Sequence, residues 1–350
     1  METGKVVQAM WQVIGQDRIV NLLERSIAEG RLSHAYLFVG ARHIGKMTLA
    51  LTLARALNCA SEEKPCGECS SCRRIISGNH PDVGIIQLAE TAEDQSSRKT
   101  ISVDQIRDLQ YSINLKPYEN GYRMIIVDGA ENMSAGAANA LLKSLEEPPP
   151  STVFILLAVE ENLLLPTIHS RCQRLELEPM PVQTLQQVLV EQWGAPHEQA
   201  DLLARFSHGC IGWAISALSE ESILEERSGN LENLISLTRS DISERFRFAA
   251  ELAAEFAKSR MVVRERLELW LTWWRDLLLL KNDCAEFIVN ADRKDMLQQQ
   301  AAQCGLSAIG KAIRSIQETM QQLDQNANAR LALEVLMLNI PIFEKEASYA

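Results

Sequence analysis

The sequence predicts an α/β domain built on a parallel sheet, followed by an all-α C-terminal half. Three observations carry that expectation. Between Trp11 and about Glu178, short apolar runs alternate with helical patterns, as strands joined by crossover helices do. A loop bounded by glycines, Gly40-Ala41-Arg42-His43-Ile44-Gly45-Lys46, separates one of those runs from an apolar-periodic segment. Beyond Pro179 strand-like runs largely vanish and a 3.6-residue period takes over.

In chain order, the strand candidates are residues 36–39, 83–88, 124–127 and 153–159, each followed by a loop or a helix. Residues 49–57 read as the helix that leaves the glycine loop. Pro148, Pro149 and Pro150 part a helix ending near Glu147 from the next strand, because proline removes a donor and restricts the residue before it. The polar stretch 90–100 reads as a loop. The change of period puts a boundary near residues 176–182, and Gly209 and Gly212 break the helical half again. The expected division is therefore 1–178, 179–222 and 223–350. In the last part Leu267, Trp270, Leu271, Trp274, Leu277 and Leu278 share one helical face, and Leu331, Val335 and Leu338 share another. Both stripes are read as core, with a partner-helix interface as the alternative.

A chain of 350 residues is long for one core and suits two or three domains. Its 46% hydrophobic and 23% charged residues are those of folded globular proteins. The 46 acidic and 35 basic side chains leave a net charge of -11, which argues against a chain that grips nucleic acid alone. No apolar run approaches the length of a spanning helix, so no membrane role is expected. Residues 1–10 lack the basic start and apolar centre of a secretory signal, which predicts a cytoplasmic protein whose eight cysteines stay reduced.

The glycine loop has the strand-before, helix-after setting of a phosphate-binding loop. Gly40 and Gly45 let backbone N–H groups approach phosphate, the helix N-terminus favours negative charge, and Lys46 can reach the outer phosphates of ATP. The next position should carry a hydroxyl for Mg²⁺, yet it is Met47, a thioether of little use to a hard cation. Thr48 comes one residue late, and a helical step turns it by about 100 degrees. The run 124–128 ends in Asp128, where a metal-orienting carboxylate belongs, but Gly129 follows it and has no group to activate water. Glu131 lies two residues further on. Nucleotide binding survives these losses more easily than magnesium-dependent hydrolysis.

Cys59, Cys66, Cys69 and Cys72 are separated by six, two and two residues, with turn chemistry in Pro65 and Gly67. Four thiolates can close a tetrahedral Zn²⁺ shell, which leaves no place for water and suits a structural ion in an insertion at 59–72. An iron–sulfur centre, a redox pair and free core cysteines are the other readings. Arg73 and Arg74 follow the cluster and fit either a nucleic-acid finger or a solvated face. Cys172, Cys210, Cys284 and Cys304 are scattered as core residues are.

Together these residues resemble the clamp-loader AAA+ family of bacterial DNA polymerase III. The likeness runs from Val13-Ile14-Gly15-Gln16 through the phosphate loop and the inserted cysteines to Ile101-Ser102-Val103-Asp104-Gln105-Ile106-Arg107. It continues over residues 137–149, which read AANALLKSLEEPP, and reaches Ser170-Arg171-Cys172. The resemblance implies a AAA+ domain, a helical lid and a helical collar for oligomerisation. It also implies that Arg171 is a finger reaching ATP bound by a neighbouring subunit. Met47, Gly129, Ala158-Val159-Glu160 and Trp213 stand where the family's motor subunits carry the hydroxyl, the glutamate and the two polar sensors. Those departures favour a delta-prime-type member, a weak or inactive ATPase, whose enzymatic label comes from the holoenzyme. The chain ends at Ala350 soon after the candidate collar helix, with no room for the extra domains of a long tau form.

The partners implied are other clamp-loader subunits (gamma/tau and delta), the sliding clamp, and primed DNA through the assembly. A gamma-type motor is the first alternative. A zinc-bearing nucleic-acid binder outside replication, resting on the cysteines with Arg73, Arg74, Arg98 and Lys99, is the second.

Overall fold

The computed structural model describes residues 11, 13–88, 100–113, 117–119 and 121–343. The expected loop at 90–100, apart from Thr100, lies outside them, as do Arg98 and Lys99. The chain forms two units: one runs to Pro181 and takes in Gly209–Trp213, the other comprises Val182–His208 and the residues from Ala214 onward.

In the first unit, α1 (Asp17–Ala28) leads to β1 (Ala35–Val39), then α2 (Lys46–Asn58), α3 (Ser70–Ile76), β2 (Val83–Ile86), α4 (Val103–Ile113) and β3 (Arg123–Asp128). α5 (Ala135–Glu146), β4 (Thr152–Ala158), α6 (Pro166–His169) and β5 (Gln173–Glu176) complete it. The five strands are all parallel, in the order β2-β3-β4-β1-β5. β1 and β4 are buried along their whole length, which is why they read as unbroken apolar runs. Alternate residues feed opposite faces. Tyr36, Phe38, Ile126, Ile155 and Leu157 pack with Leu49 and Leu53 of α2, while Leu37, Val39, Ile125, Phe154 and Leu156 pack with Leu141 and Leu145 of α5.

Residues 87 and 88 fall outside β2, so that strand is shorter than expected. β5 is an addition to the sequence reading. It pairs Tyr36 with Gln173 and Val39 with Glu176, but as an edge strand it buries only Leu175, so its sequence QRLE carries no apolar run.

In the second unit, α7 (Val182–Trp193) packs on α8 (His197–Phe206). α9 (Ile211–Ser219), whose first residues belong to the first unit, begins after Gly209 and contains Gly212, so only Gly209 lies in the break. α10 (Glu221–Leu237), α11 (Ile242–Lys258), α12 (Arg260–Lys281), α13 (Lys294–Gln303), α14 (Leu306–Asp324) and α15 (Ala329–Asn339) follow. Leu267, Trp270, Trp273, Trp274 and Leu277 put α12 at the centre of the core. The buried Asp276 carboxylate accepts the backbone N–H groups of Val289 and Asn290. Buried Arg245 donates to the carbonyl oxygens of Leu237, Met337 and Ile340, so helix C-termini replace an acid as its counter-charge. The second apolar stripe is not core. Leu331, Val335 and Leu338 are 59%, 45% and 58% exposed, because α15 turns Leu333, Leu336 and Met337 inward instead. Among the described residues no helix is long and apolar enough to cross a membrane.

Candidate functional site

The functional residues of the first unit fall at the two edges of its sheet. At the carboxyl edge, Val39 pairs with Ala158 and Asp128 with Leu157, which brings the glycine loop after β1 and the carboxylate ending β3 to the same side. A Cβ on Gly40 would lie 2.9 Å from the Leu177 carbonyl oxygen, so close backbone approach requires glycine there. Gly45 takes φ 107°, a left-handed value, just before α2 begins. The buried Lys46 donates from Nζ to the carbonyl oxygens of Gly40 and Ala41 at 2.7 and 2.8 Å. Burial lowers its pKa, against Glu131 and Asp128, whose carboxylates favour the charged form. Within the same unit, the Gly212 N–H donates to the His43 carbonyl at 2.8 Å and Trp213 packs on the sheet core, so the segment Gly209–Trp213 lies against the loop.

The chemistry expected of a motor is missing from that edge. Met47 is half-buried against the core, and Thr48 is exposed on α2. Gly129 has φ 70° and ψ 48°, and a Cβ added to it would stand 2.9 Å from Asn132 Nδ2, so a glutamate could return only under strain. Glu131 accepts the Val159 N–H at Oε1, 3.2 Å away, while its other oxygen is buried without a hydrogen-bond partner. Its carboxylate is thereby engaged with the backbone that follows β4.

The cysteine insertion leaves the C-terminal end of α2. The Sγ atoms of Cys59, Cys66, Cys69 and Cys72 lie within 4.8 Å of one another, with Cys59 3.5 Å from Cys66 and 3.9 Å from Cys69. A tetrahedral Zn²⁺ with Zn–S bonds of about 2.3 Å asks for sulfur separations of roughly 3.8 Å, so the set fits a metal ion. The N–H groups of Cys66, Cys69 and Cys72 point at the sulfurs of Cys59, Cys66 and Cys69 at 3.3 to 3.4 Å, as a thiolate cluster requires. Burial pushes the Cys72 thiol up to about 12. Burial opposes ionisation at Cys69 too, but N–H groups of Cys72 and Ala60 outweigh it and bring that thiol to about 6.

A polar network invisible in the sequence braces this insertion. Ser71 Oγ meets the buried His80 ring at 2.9 Å, Arg74 pairs with Glu119, and His80 lies 3.3 Å from Glu119. Asp82 accepts from the N–H groups of Tyr118 and Glu119 and from Arg123. Arg74, one of the two arginines beyond the cysteines, is thus committed to an ion pair.

Arg171 lies at the amino edge. It follows α6, whose Pro166 at the first position pre-sets the helical φ, and it precedes β5, which starts level with Tyr36 of β1. Its Nη1 donates to the Thr167 carbonyl at 2.9 Å and to Ser170 Oγ at 3.2 Å, and its Nη2 is 2.7 Å from Glu146 Oε1. Glu146 was not singled out by sequence reasoning as a site residue. Its only signal is an acidic pair at a helix C-terminus, where carboxylates are disfavoured.

A parallel sheet in this order, with a glycine loop and lysine after β1 and an aspartate ending β3, defines a P-loop domain of the AAA+ class. Residues 15–181 match the family model described as DNA polymerase III, delta subunit, and residues 223–341 match its C-terminal counterpart. The chain belongs to the delta′ family of DNA polymerase III clamp-loader subunits: it is 32% identical to subunit delta′ of Bacillus subtilis, over 92% of this chain and 95% of that one. It is also 28% identical to the tau subunit of the same organism, over 95% of this chain but 61% of tau. A gamma-subunit-related protein of Thermotoga maritima, solved as a crystal structure, aligns over 90% of this chain and 97% of its own with 19% identity and a TM-score of 0.41. The sequence relatives are replication subunits, and they give no support to a role outside replication.

Proposed function

We propose that this chain is a non-motor subunit of the clamp loader that presents Arg171 to the ATP held by a neighbouring subunit. In that role it helps the assembly open the sliding clamp for primed DNA. The observation that carries the proposal is one of position. Arg171 is at the amino edge of the sheet and the chain's own phosphate loop is at the carboxyl edge, with the five residues of β1 between them. At about 3.3 Å per strand residue that separation is roughly 16 Å, beyond the reach of an arginine side chain. A guanidinium so placed cannot serve the chain's own loop; presented to a neighbour, it would stabilise charge developing on the transferred phosphoryl group.

The gamma-type motor reading needs a hydroxyl and a water-activating carboxylate at the loop. Met47, the left-handed Gly129 and the engaged Glu131 speak against it. Gly40, Gly45, Lys46, Thr48 and Asp128 are the residues that would meet ATP and Mg²⁺, and their role here is binding without efficient hydrolysis. We assign a structural Zn²⁺ to Cys59, Cys66, Cys69 and Cys72, in a chain that works in the reducing cytoplasm. The division into a AAA+ domain to 178, a lid to 222 and a collar beyond it belongs to the same proposal. Partners are gamma/tau and delta subunits, met at the collar; the exposed Leu331, Val335 and Leu338 support an interface there.

The test is ATP turnover of a reconstituted loader with clamp and primed DNA, comparing wild type, Arg171→Ala and Lys46→Ala. A sharp loss with Arg171→Ala and little change with Lys46→Ala is the expected result. Loss with Lys46→Ala alone would make this chain a motor.

A further inference from the structure

Glu146 and Glu147 close α5 at the end of a helix whose exposed carbonyl dipoles repel carboxylates, with Lys143 as the basic residue of the last turn. A local conflict of this kind persists where some other demand outweighs it. The demand on Glu146 is visible in its partner, since Oε1 lies 2.7 Å from Nη2 of Arg171. The surroundings fix both ends of this contact. The His34 ring nitrogen lies 3.1 Å from the Leu145 carbonyl and ties the end of α5 to the start of β1. On the other side Thr167 and Ser170 hold Nη1 of Arg171 at 2.9 and 3.2 Å.

The pair is not a core feature. The side chains of Arg171 and Glu146 are 33% and 51% exposed, and ion pairs so open to water contribute little to stability. What such a contact does accomplish is geometric: it selects one arrangement of a long side chain that would otherwise sample many. We infer that Glu146 is a positioning residue, whose carboxylate holds the Arg171 guanidinium over the amino edge in the orientation that meets a neighbouring subunit's nucleotide phosphates. This rests on the trans reading of Arg171 given above. It assigns a task to the acidic end of the LEEPP stretch, which that reading left without one. A solvent-exposed carboxylate contact is weak enough for the guanidinium to adjust as phosphate arrives, yet strong enough to limit its search.

The experiment uses the reconstituted loader with clamp and primed DNA, and reads kcat and KM for ATP separately. Glu146→Gln keeps the size and one acceptor oxygen for the guanidinium but removes the charge, and the exposure of the site leaves folding intact. It is expected to lower kcat about fivefold with KM unchanged, within the range of coupling between contacting residues. Glu146→Asp should recover part of that loss. In an Arg171→Ala background, Glu146→Gln should have no further effect, because the residue it positions is gone. If Arg171→Ala itself leaves turnover unchanged, the trans reading fails and this inference falls with it. If Arg171→Ala slows turnover while Glu146→Gln does nothing, accelerates it, or slows it equally in both backgrounds, the trans reading stands and the positioning role is overturned.

Discussion

The two edges of one sheet have had different fates. At the carboxyl edge the loop keeps its shape: Gly45 is left-handed, Lys46 is seated on the Gly40 and Ala41 carbonyls, and Asp128 ends its strand. The positions expected to hold a hydroxyl and a water-activating carboxylate are Met47 and Gly129. The amino edge carries charged groups and a cysteine cluster in specific contacts. Arg171 is held by Glu146, and near the starts of β2 and β3 the cysteine insertion is braced through Ser71, His80, Glu119, Asp82 and Arg123. The residues at one edge can thus differ without disturbing those at the other, because the buried strands between them depend on neither.

The comparison breaks most readily at Arg171. Its replacement by alanine should slow the neighbouring site by roughly a thousandfold, the lower part of the range for arginine fingers, while Lys46→Ala leaves loader turnover within about twofold. Equal effects of the two substitutions would erase the distinction between the edges. Next in size is the effect of the proposed Zn²⁺. Removing it with a chelator, or substituting Cys72→Ser, should lower the melting temperature by about 10 °C through loss of the cross-link that such an ion gives the insertion. Metal analysis of the purified chain should find about one Zn²⁺, lost in the Cys72→Ser variant. An unchanged melting curve would make the insertion dispensable to the amino edge.

A smaller effect is expected at Gly129. Restoring a glutamate there should cost about 1 to 2 kcal/mol in denaturant unfolding, the strain of a left-handed residue, and should not raise ATPase activity of the isolated chain. Activity gained without loss of stability would mean the carboxyl edge is one residue from a motor. The smallest change concerns Met47→Thr, which should strengthen magnesium-dependent nucleotide binding by less than about tenfold, read by titration calorimetry, with no turnover. Turnover in that variant would show that a hydroxyl was the missing part.

How much was legible follows from how far apart the interacting residues lie in the chain. The three central strands β1, β3 and β4 could be read because burial on both faces forces apolar runs. β2, at one edge, was read from the apolar residues of VGII although only Ile86 is buried, whereas β5, at the other edge, buries only Leu175 and carries no such run. The two helical stripes looked alike in sequence and differ in space. Trp270 and Trp274 face the core, while Leu331, Val335 and Leu338 face outward, since periodicity reports an apolar face and not what covers it. The cysteines could be grouped by spacing, but the bracing by His80 and Glu119 could not, because those polar residues are ordinary until the chain brings them together.

The sequence by itself determined the α/β half with its central strands, the all-α half, the glycine-loop pattern and a cysteine set spaced as metal ligands are, since each is encoded in residues close along the chain. Only the tertiary structure decided that Arg171 and the phosphate loop lie at opposite edges, and that Glu146 meets Arg171. The pairing of parallel strands brings together residues remote in sequence, and no local pattern of side chains records which end of a strand another segment will reach.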